Sequence, residues 1–293
     1  MVSVADVRTD RPAARADYAE KGFCAIDSVL STEEVHKAVR RVEAVVDGEY
    51  ETSEPPKMRT TPPGDTSGAL VKIDQPHYSN PSLLEAIAHP AVGEWAAALT
   101  GASFVQVWAV NLLYKPPGGA PRSNVGWHQD DGYWNEWIRG DAFTMWLALS
   151  DVTESCGPLR FVVRSHTWGA VGAGDFFSDD LTPAQGGVIP MPDKEDWREE
   201  MVLVRAGGAS VHTRFTFHGS GPNSSLEPRI GLALHLRTEN SAIGPAPPPE
   251  YPDVLDDPER CPIVYDGRNA TPPPESGPRR SLFRSRRSAK GRS

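Results

Sequence analysis

From residue 104 onward the chain is a succession of short runs rich in strand formers. They lie at 104–110, 143–149, 159–163, 202–204, 211–217 and 230–236, and clusters of Gly, Pro and Asn separate them. Short strands separated in this way point to antiparallel β structure rather than a parallel α/β sheet. The sequence therefore predicts a mainly β protein, a sandwich or jelly roll.

The helical patterns come earlier. Ser31-Thr32-Glu33-Glu34 is a capping box, and Val35, Ala38, Val39, Val42, Val45 and Val46 follow at helical spacing. This helix should end near Asp47-Gly48. A second amphipathic helix, 83–99, is broken at His89-Pro90, because proline disfavours a helical residue before it. Helices placed ahead of the strands are expected to buttress one sheet. Residues 169–200 interrupt the strand series with acidic, Gly-rich sequence, which predicts a lid over a site. Residues 1–243 read as one domain. From 244 to 278, eleven of 35 residues are Pro, and a basic Ser/Arg tail follows, so 244–293 reads as an extended, disordered arm.

Charge narrows the function. The chain carries −9, but residues 278–293 hold six Arg, one Lys and no acid, which leaves −16 on residues 1–277. A body this acidic is not expected to bind nucleic acid or an anionic membrane. No run of 18 apolar residues is present, and residues 1–20 contain no apolar leader. Three scattered cysteines give neither a disulfide framework nor a zinc site. A cytoplasmic protein is the expectation. The sequence does not set its oligomeric state.

The chemistry concentrates at Trp127-His128-Gln129-Asp130. On a strand, residues two apart share a face, so the imidazole and the carboxylate project together. A third ligand must come from elsewhere. His218 closes the 211–217 run just before Gly219-Ser220-Gly221-Pro222-Asn223, and a strand end beside a tight turn can approach a metal held next door. His212 lies six residues earlier, about 20 Å away if the run is one continuous strand, and is expected not to share a metal with His218. His128, Asp130 and His218 make a two-histidine, one-carboxylate set that leaves sites open on iron. The same residue types suit a zinc hydrolase. Arg229, eleven residues beyond His218, offers a planar fork for the far carboxylate of a dicarboxylate co-substrate.

These residues, with Lys115-Pro116-Pro117-Gly118-Gly119 upstream, Gly22-Phe23, Cys156-Gly157-Pro158-Leu159 and Ser165-His166, resemble the phytanoyl-CoA dioxygenase family. The resemblance spans about residues 15–240, in the family's order. It implies a double-stranded β-helix, a jelly-roll variant that is cupin-like. It also implies oxygenase chemistry with Fe(II), 2-oxoglutarate and O₂. His128, Asp130 and His218 match the iron ligands and catalytic centre. Arg229 and Ser220 match the groups that hold the distal carboxylate of 2-oxoglutarate, and Trp146, Lys72 and Asn111 fall at further co-substrate positions. Related halogenases lack the carboxylate that Asp130 retains, so hydroxylation or desaturation is expected, with release of succinate and CO₂.

The substrate is expected to be a small molecule, a specialised metabolite; the family also permits a fatty acyl-CoA. Tyr133, Trp134 and Trp137 follow the metal motif and could wall the substrate. Arg122 and Arg164 could contact an anionic one. A non-catalytic jelly-roll binding protein and the zinc hydrolase are the competing classes.

Overall fold

The computed structural model describes residues 2–119, 121–178, 181, 189–248 and 251–268. The Ser31 capping box forms: Glu34 Oε2 accepts the Ser31 N–H at 2.7 Å and Ser31 Oγ accepts the Glu34 N–H. The helix it starts, α2 (Thr32–Asp47), ends at Gly48 with a φ of 86°. Before it comes α1 (Arg11–Lys21), and after it α3 (Pro90–Thr100). His89 caps α3, so the break at His89-Pro90 falls where the sequence places it.

The main strands are β1 (Phe23–Ile26), β2 (Val71–Asp74), β3 (Phe104–Lys115), β4 (Val125–His128), β5 (Ile138–Ala148) and β6 (Leu159–Val162). They continue with β7 (Glu199–Met201), β8 (Ala209–Thr213), β9 (His218–Ser220), β10 (Arg229–Ile243) and β11 (Ile263–Asp266). The larger sheet runs β1-β8-β5-β10-β3-β2, with short strands at its ends and β11 paired to β3. The smaller sheet runs β7-β6-β9-β4, with Ser3–Val4 beside β7. The two sheets face each other as a jelly roll.

Period-two alternation decides what each sheet face does. In β5, Phe143, Met145 and Leu147 join the outer core with α2 and α3, through Val35, Val42, Val92 and Trp95. Thr144 and Trp146 point the other way, into the space between the sheets. In β10, Ile230, Leu232 and Leu234 pack outward, while Arg229, Ala233 and His235 line the interior. A bulge in β3 opposite His235/Leu236 inserts Trp108, so Trp108 and Ala109 both face the interior.

Three expectations need correction. The run at 211–217 is not one strand: β8 ends at Thr213, the chain turns, and β9 starts in the other sheet at His218. The third strand of the smaller sheet's edge is Glu199–Met201 rather than 202–204; Val202 and Val204 are buried between the sheets. The Pro-rich segment is not a free arm through residue 268. There β11 extends the larger sheet, Cys261 is fully buried, and the Gln106 amide donates to the carbonyls of Leu255 and Cys261. Buried polar groups with partners on this scale hold a terminus down despite its proline content. The basic stretch 279–293 lies outside the described residues.

The insert at 169–200 is described at 169–178, 181 and 189–200. Phe176 accepts a backbone hydrogen bond from Gly126 N and Trp127 accepts one from Asp175 N, so this segment runs along β4. Among the described residues no helix is long and apolar enough to cross a membrane.

Candidate active site

His128 ends β4 and His218 begins β9, and the two residues are direct partners in the antiparallel pair. Their ring centroids are 4.1 Å apart. Each Nδ1 is tied to its own strand, His128 to the Gly126 carbonyl at 2.8 Å and His218 to the Thr216 carbonyl at 3.0 Å. A carbonyl only accepts, so both Nδ1 atoms carry the proton and both Nε2 lone pairs face inward. They meet Asp130 Oδ1, each at 3.7 Å. This spacing suits ligands that share a metal, and the three residues form the one metal-competent group among the described residues. The backbone-anchored imidazoles supply the outer hydrogen bonds that fix ligand orientation.

Asp130 divides its two oxygens. Oδ1 faces the histidines, while Oδ2 accepts from Thr144 Oγ1 at 2.7 Å and lies 3.1 Å from His212 Nε2. His212 was expected to be remote. Because β8 and β9 belong to different sheets, the turn between them folds His212 back onto the centre, 4.2 Å from the His218 ring. Burial opposes ionisation of Asp130, but His218 and then His212 outweigh it and hold the carboxyl well below its usual range. Burial, followed by the neighbouring imidazoles, pushes His218 well below the ordinary histidine value; burial also lowers His128. The set is one carboxylate and two neutral nitrogens at neutral pH, the donor chemistry of a facial iron site.

At the other end of the same cavity stands Arg229, with no exposed surface. One guanidinium nitrogen, Nη1, donates to the Gly157 carbonyl at 2.7 Å; Nε and Nη2 have no partner among the described residues. A buried guanidinium with N–H groups left over demands an anion. Burial lowers its pKa to about 10, so it stays cationic. The guanidinium also lies 4.8 Å from the Trp146 ring. Gly231 makes room for that ring: a Cβ there would fall 2.0 Å from it. Gly157 is likewise required, since its φ is 72° and a Cβ would meet the Gly221 carbonyl. These residues fit the distal carboxylate of 2-oxoglutarate, with Ser220 on the same cavity wall.

Between the two ends lies a cavity of about 340 Å³. Tyr133, Trp134 and Trp137 line it, as the sequence suggested, and Trp108, Phe176 and Phe177 join them. Lys72 and Asn111 line it too, and Asp74 holds both: Lys72 pairs with it, and the Asn111 amide donates to it at 2.7 Å. Asn111 also meets His235 Nε2 at 2.9 Å, and His235 Nδ1 lies 3.0 Å from the Thr144 hydroxyl. A polar seam therefore runs from Asp130 through Thr144, His235 and Asn111 to Asp74 and Lys72.

Sequence reading missed Asp74 and Thr144 and placed His212 too far from the centre; His235, a plausible core or pocket histidine from its strand, does line the cavity. Asp74 carried a signal, because it stands two residues from Lys72 on a strand, the same spacing as His128 and Asp130. Arg122 and Arg164 are not brought to the cavity. Arg122 sits exposed on a short 3₁₀ turn. Arg164 takes a left-handed conformation (φ 66°) that turns it to solvent after β6. Nearness in sequence to the motif did not set the direction of either side chain.

A probable α-ketoglutarate-dependent hypophosphite dioxygenase from Stutzerimonas stutzeri is 25% identical over 231 residues, 74% of this chain and 75% of its own. Among solved structures, the carbocyclase SnoK of nogalamycin biosynthesis superposes with a TM-score of 0.62 at 24% identity. It covers 80% of this chain and 86% of its own. The epimerase SnoN, solved in complex with Fe³⁺, α-ketoglutarate and nogalamycin RO, gives the same TM-score and coverage at 22% identity. Nothing supports the zinc hydrolase or the non-catalytic jelly roll. The family model of phytanoyl-CoA dioxygenase matches residues 18–231. The chain belongs to the phytanoyl-CoA dioxygenase family and is an iron- and 2-oxoglutarate-dependent dioxygenase.

Proposed function

We propose that the protein hydroxylates or desaturates a small molecule of specialised metabolism and releases succinate and CO₂ from 2-oxoglutarate. His128, Asp130 and His218 would hold the iron, and Arg229 with Ser220 would hold the distal carboxylate of the co-substrate. Bound iron supplies oxidation of 2-oxoglutarate by O₂ and removal of a substrate hydrogen. The chain's own residues do the rest. Thr144 and His212 occupy Asp130 Oδ2 and leave Oδ1 for the metal. Burial of the whole set keeps water away and strengthens each contact.

One observation carries the substrate class. Four large apolar side chains that stand exposed, Met58, Tyr133, Trp137 and Phe177, all line this one cavity. Exposed apolar groups gathered at one mouth mark a ligand site. With buried Trp108, Trp134 and Phe176 behind them they suit a flat, ring-bearing scaffold. The seam ending in Asp74 would meet its hydroxyl or amine groups. Hypophosphite, the substrate in the relative's name, would fill little of such a space.

Anaerobic Fe(II) protein with 2-oxoglutarate, offered a panel of hydroxylated polycyclic compounds and of fatty acyl-CoA thioesters, tests this reading. A polycyclic compound should stimulate succinate formation and gain one oxygen or lose two hydrogens once O₂ is admitted. Stimulation by acyl-CoA alone would overturn the substrate class.

A further inference from the structure

A second buried cation lies beside Arg229. Lys115 has no exposed surface and is the direct partner of Arg229 in the β3–β10 pair. Among the described residues neither cation takes part in an ion pair. Two cations buried side by side repel each other, and among the described residues only neutral carbonyl, hydroxyl and ring groups face them, so the arrangement favours an anion. Lys115 does not reach that anion directly. Its Nζ donates to the Ser220 hydroxyl at 2.7 Å, to the Ser220 carbonyl at 3.2 Å and to the Gly221 carbonyl.

An ammonium has three protons and no lone pair. With three acceptors around it, Lys115 gives one proton to Ser220 Oγ. The serine hydroxyl is then an acceptor on that side, and its own proton must point elsewhere. Ser220 itself lies on the cavity wall, so the available direction is into the cavity, the same space that the unpartnered Nε and Nη2 of Arg229 share.

We infer that Lys115 is a positioning residue for the co-substrate: it turns the Ser220 hydroxyl into a donor toward the distal carboxylate of 2-oxoglutarate and adds a second positive charge behind it. The lysine touches no substrate atom and acts through Ser220 and through its field. It therefore selects for a dicarboxylate rather than for the 2-oxo acid head, which belongs to the metal end. The inference rests on the assignment of the Arg229 end to 2-oxoglutarate.

Calorimetric titration under anaerobic conditions tests it, with Fe(II)-loaded protein and two ligands: 2-oxoglutarate, and 2-oxobutyrate, which has the same head and no distal carboxylate. Lys115→Met should weaken 2-oxoglutarate about tenfold and leave 2-oxobutyrate unchanged, because a charged hydrogen bond is lost at the distal end alone. In a Ser220→Ala background the same change should have a much smaller effect, which identifies coupling through Ser220. Equal weakening of both ligands would show a structural role and overturn the inference. Should Lys115→Met not fold, Lys115→Gln, which removes the charge but keeps a polar end for the Ser220 and Gly221 carbonyls, takes its place: weaker binding of 2-oxoglutarate alone supports the inference, and unchanged binding of both ligands refutes it. Wild-type protein that binds no 2-oxoglutarate would instead refute the co-substrate assignment itself.

Discussion

The two ends of the cavity are built on opposite plans. At the metal end almost every donor and acceptor already has a partner: both histidine Nδ1 atoms, and the outer oxygen of Asp130 twice over. At the co-substrate end two cations sit buried, and Arg229 keeps Nε and Nη2 without partners among the described residues. The saturated end fixes ligand positions before anything binds. The unsaturated end is completed only by its ligand. A resident metal calls for rigid preorganisation, whereas a co-substrate that must enter and leave each turnover calls for a site whose binding energy appears on entry.

Several changes would break this contrast, in descending order of effect. Asp130→Ala or His128→Ala should abolish iron binding, measured by metal content, and with it all turnover. Arg229→Ala should weaken 2-oxoglutarate by roughly 100-fold, or about 3 kcal/mol, read by titration, while iron still binds. His212→Phe keeps an aromatic ring, slightly larger than the imidazole, but removes a donor from Asp130 Oδ2. Iron affinity should fall on the order of 10- to 100-fold, the usual scale for an outer hydrogen bond; unchanged affinity would show that Thr144 alone suffices.

The co-substrate end should also respond to pH. Burial and then Arg229 push Lys115 well below its ordinary value, and a bound carboxylate pushes it back up. The bound state therefore holds the proton more tightly. Affinity for 2-oxoglutarate should be greatest below the lysine's free-state pKa and decline as pH rises through its bound-state value. Titration across pH should show this slope, and Lys115→Met should flatten it. The smallest effect belongs to deletion of residues 279–293, outside both the described residues and the family match. Turnover should stay intact.

Much of this site was legible because it depends on short spacings. His128 and Asp130 share a face by strand parity, and His218 and Arg229 flank a turn rich in Gly, Pro and Asn. The β-rich fold and the Ser31 helix start were legible for similar local reasons. His212 was not, because the turn after Thr213 contains Arg214-Phe215-Thr216-Phe217, with neither Gly nor Pro to mark it. Tertiary contacts hold that turn instead: Thr213 and Thr216 share a hydroxyl hydrogen bond and Arg214 pairs with Asp131. The seam through Thr144, His235 and Asn111 joins three strands of one sheet, a pairing no local pattern reveals. Residues 251–268 misled by composition, since proline content says nothing of the buried Cys261 and the Gln106 amide that hold them.

Anaerobic titration of 2-oxoglutarate into Fe(II)-loaded protein, followed by the charge-transfer absorption of the complex, tests the central claim most directly. One equivalent should bind and the absorption should appear. It should vanish in His128→Ala and, at the same concentration, in Arg229→Ala. Absorption that failed to develop in the wild type, or that developed unchanged in Arg229→Ala, would contradict a cavity with iron at one end and a carboxylate hole at the other.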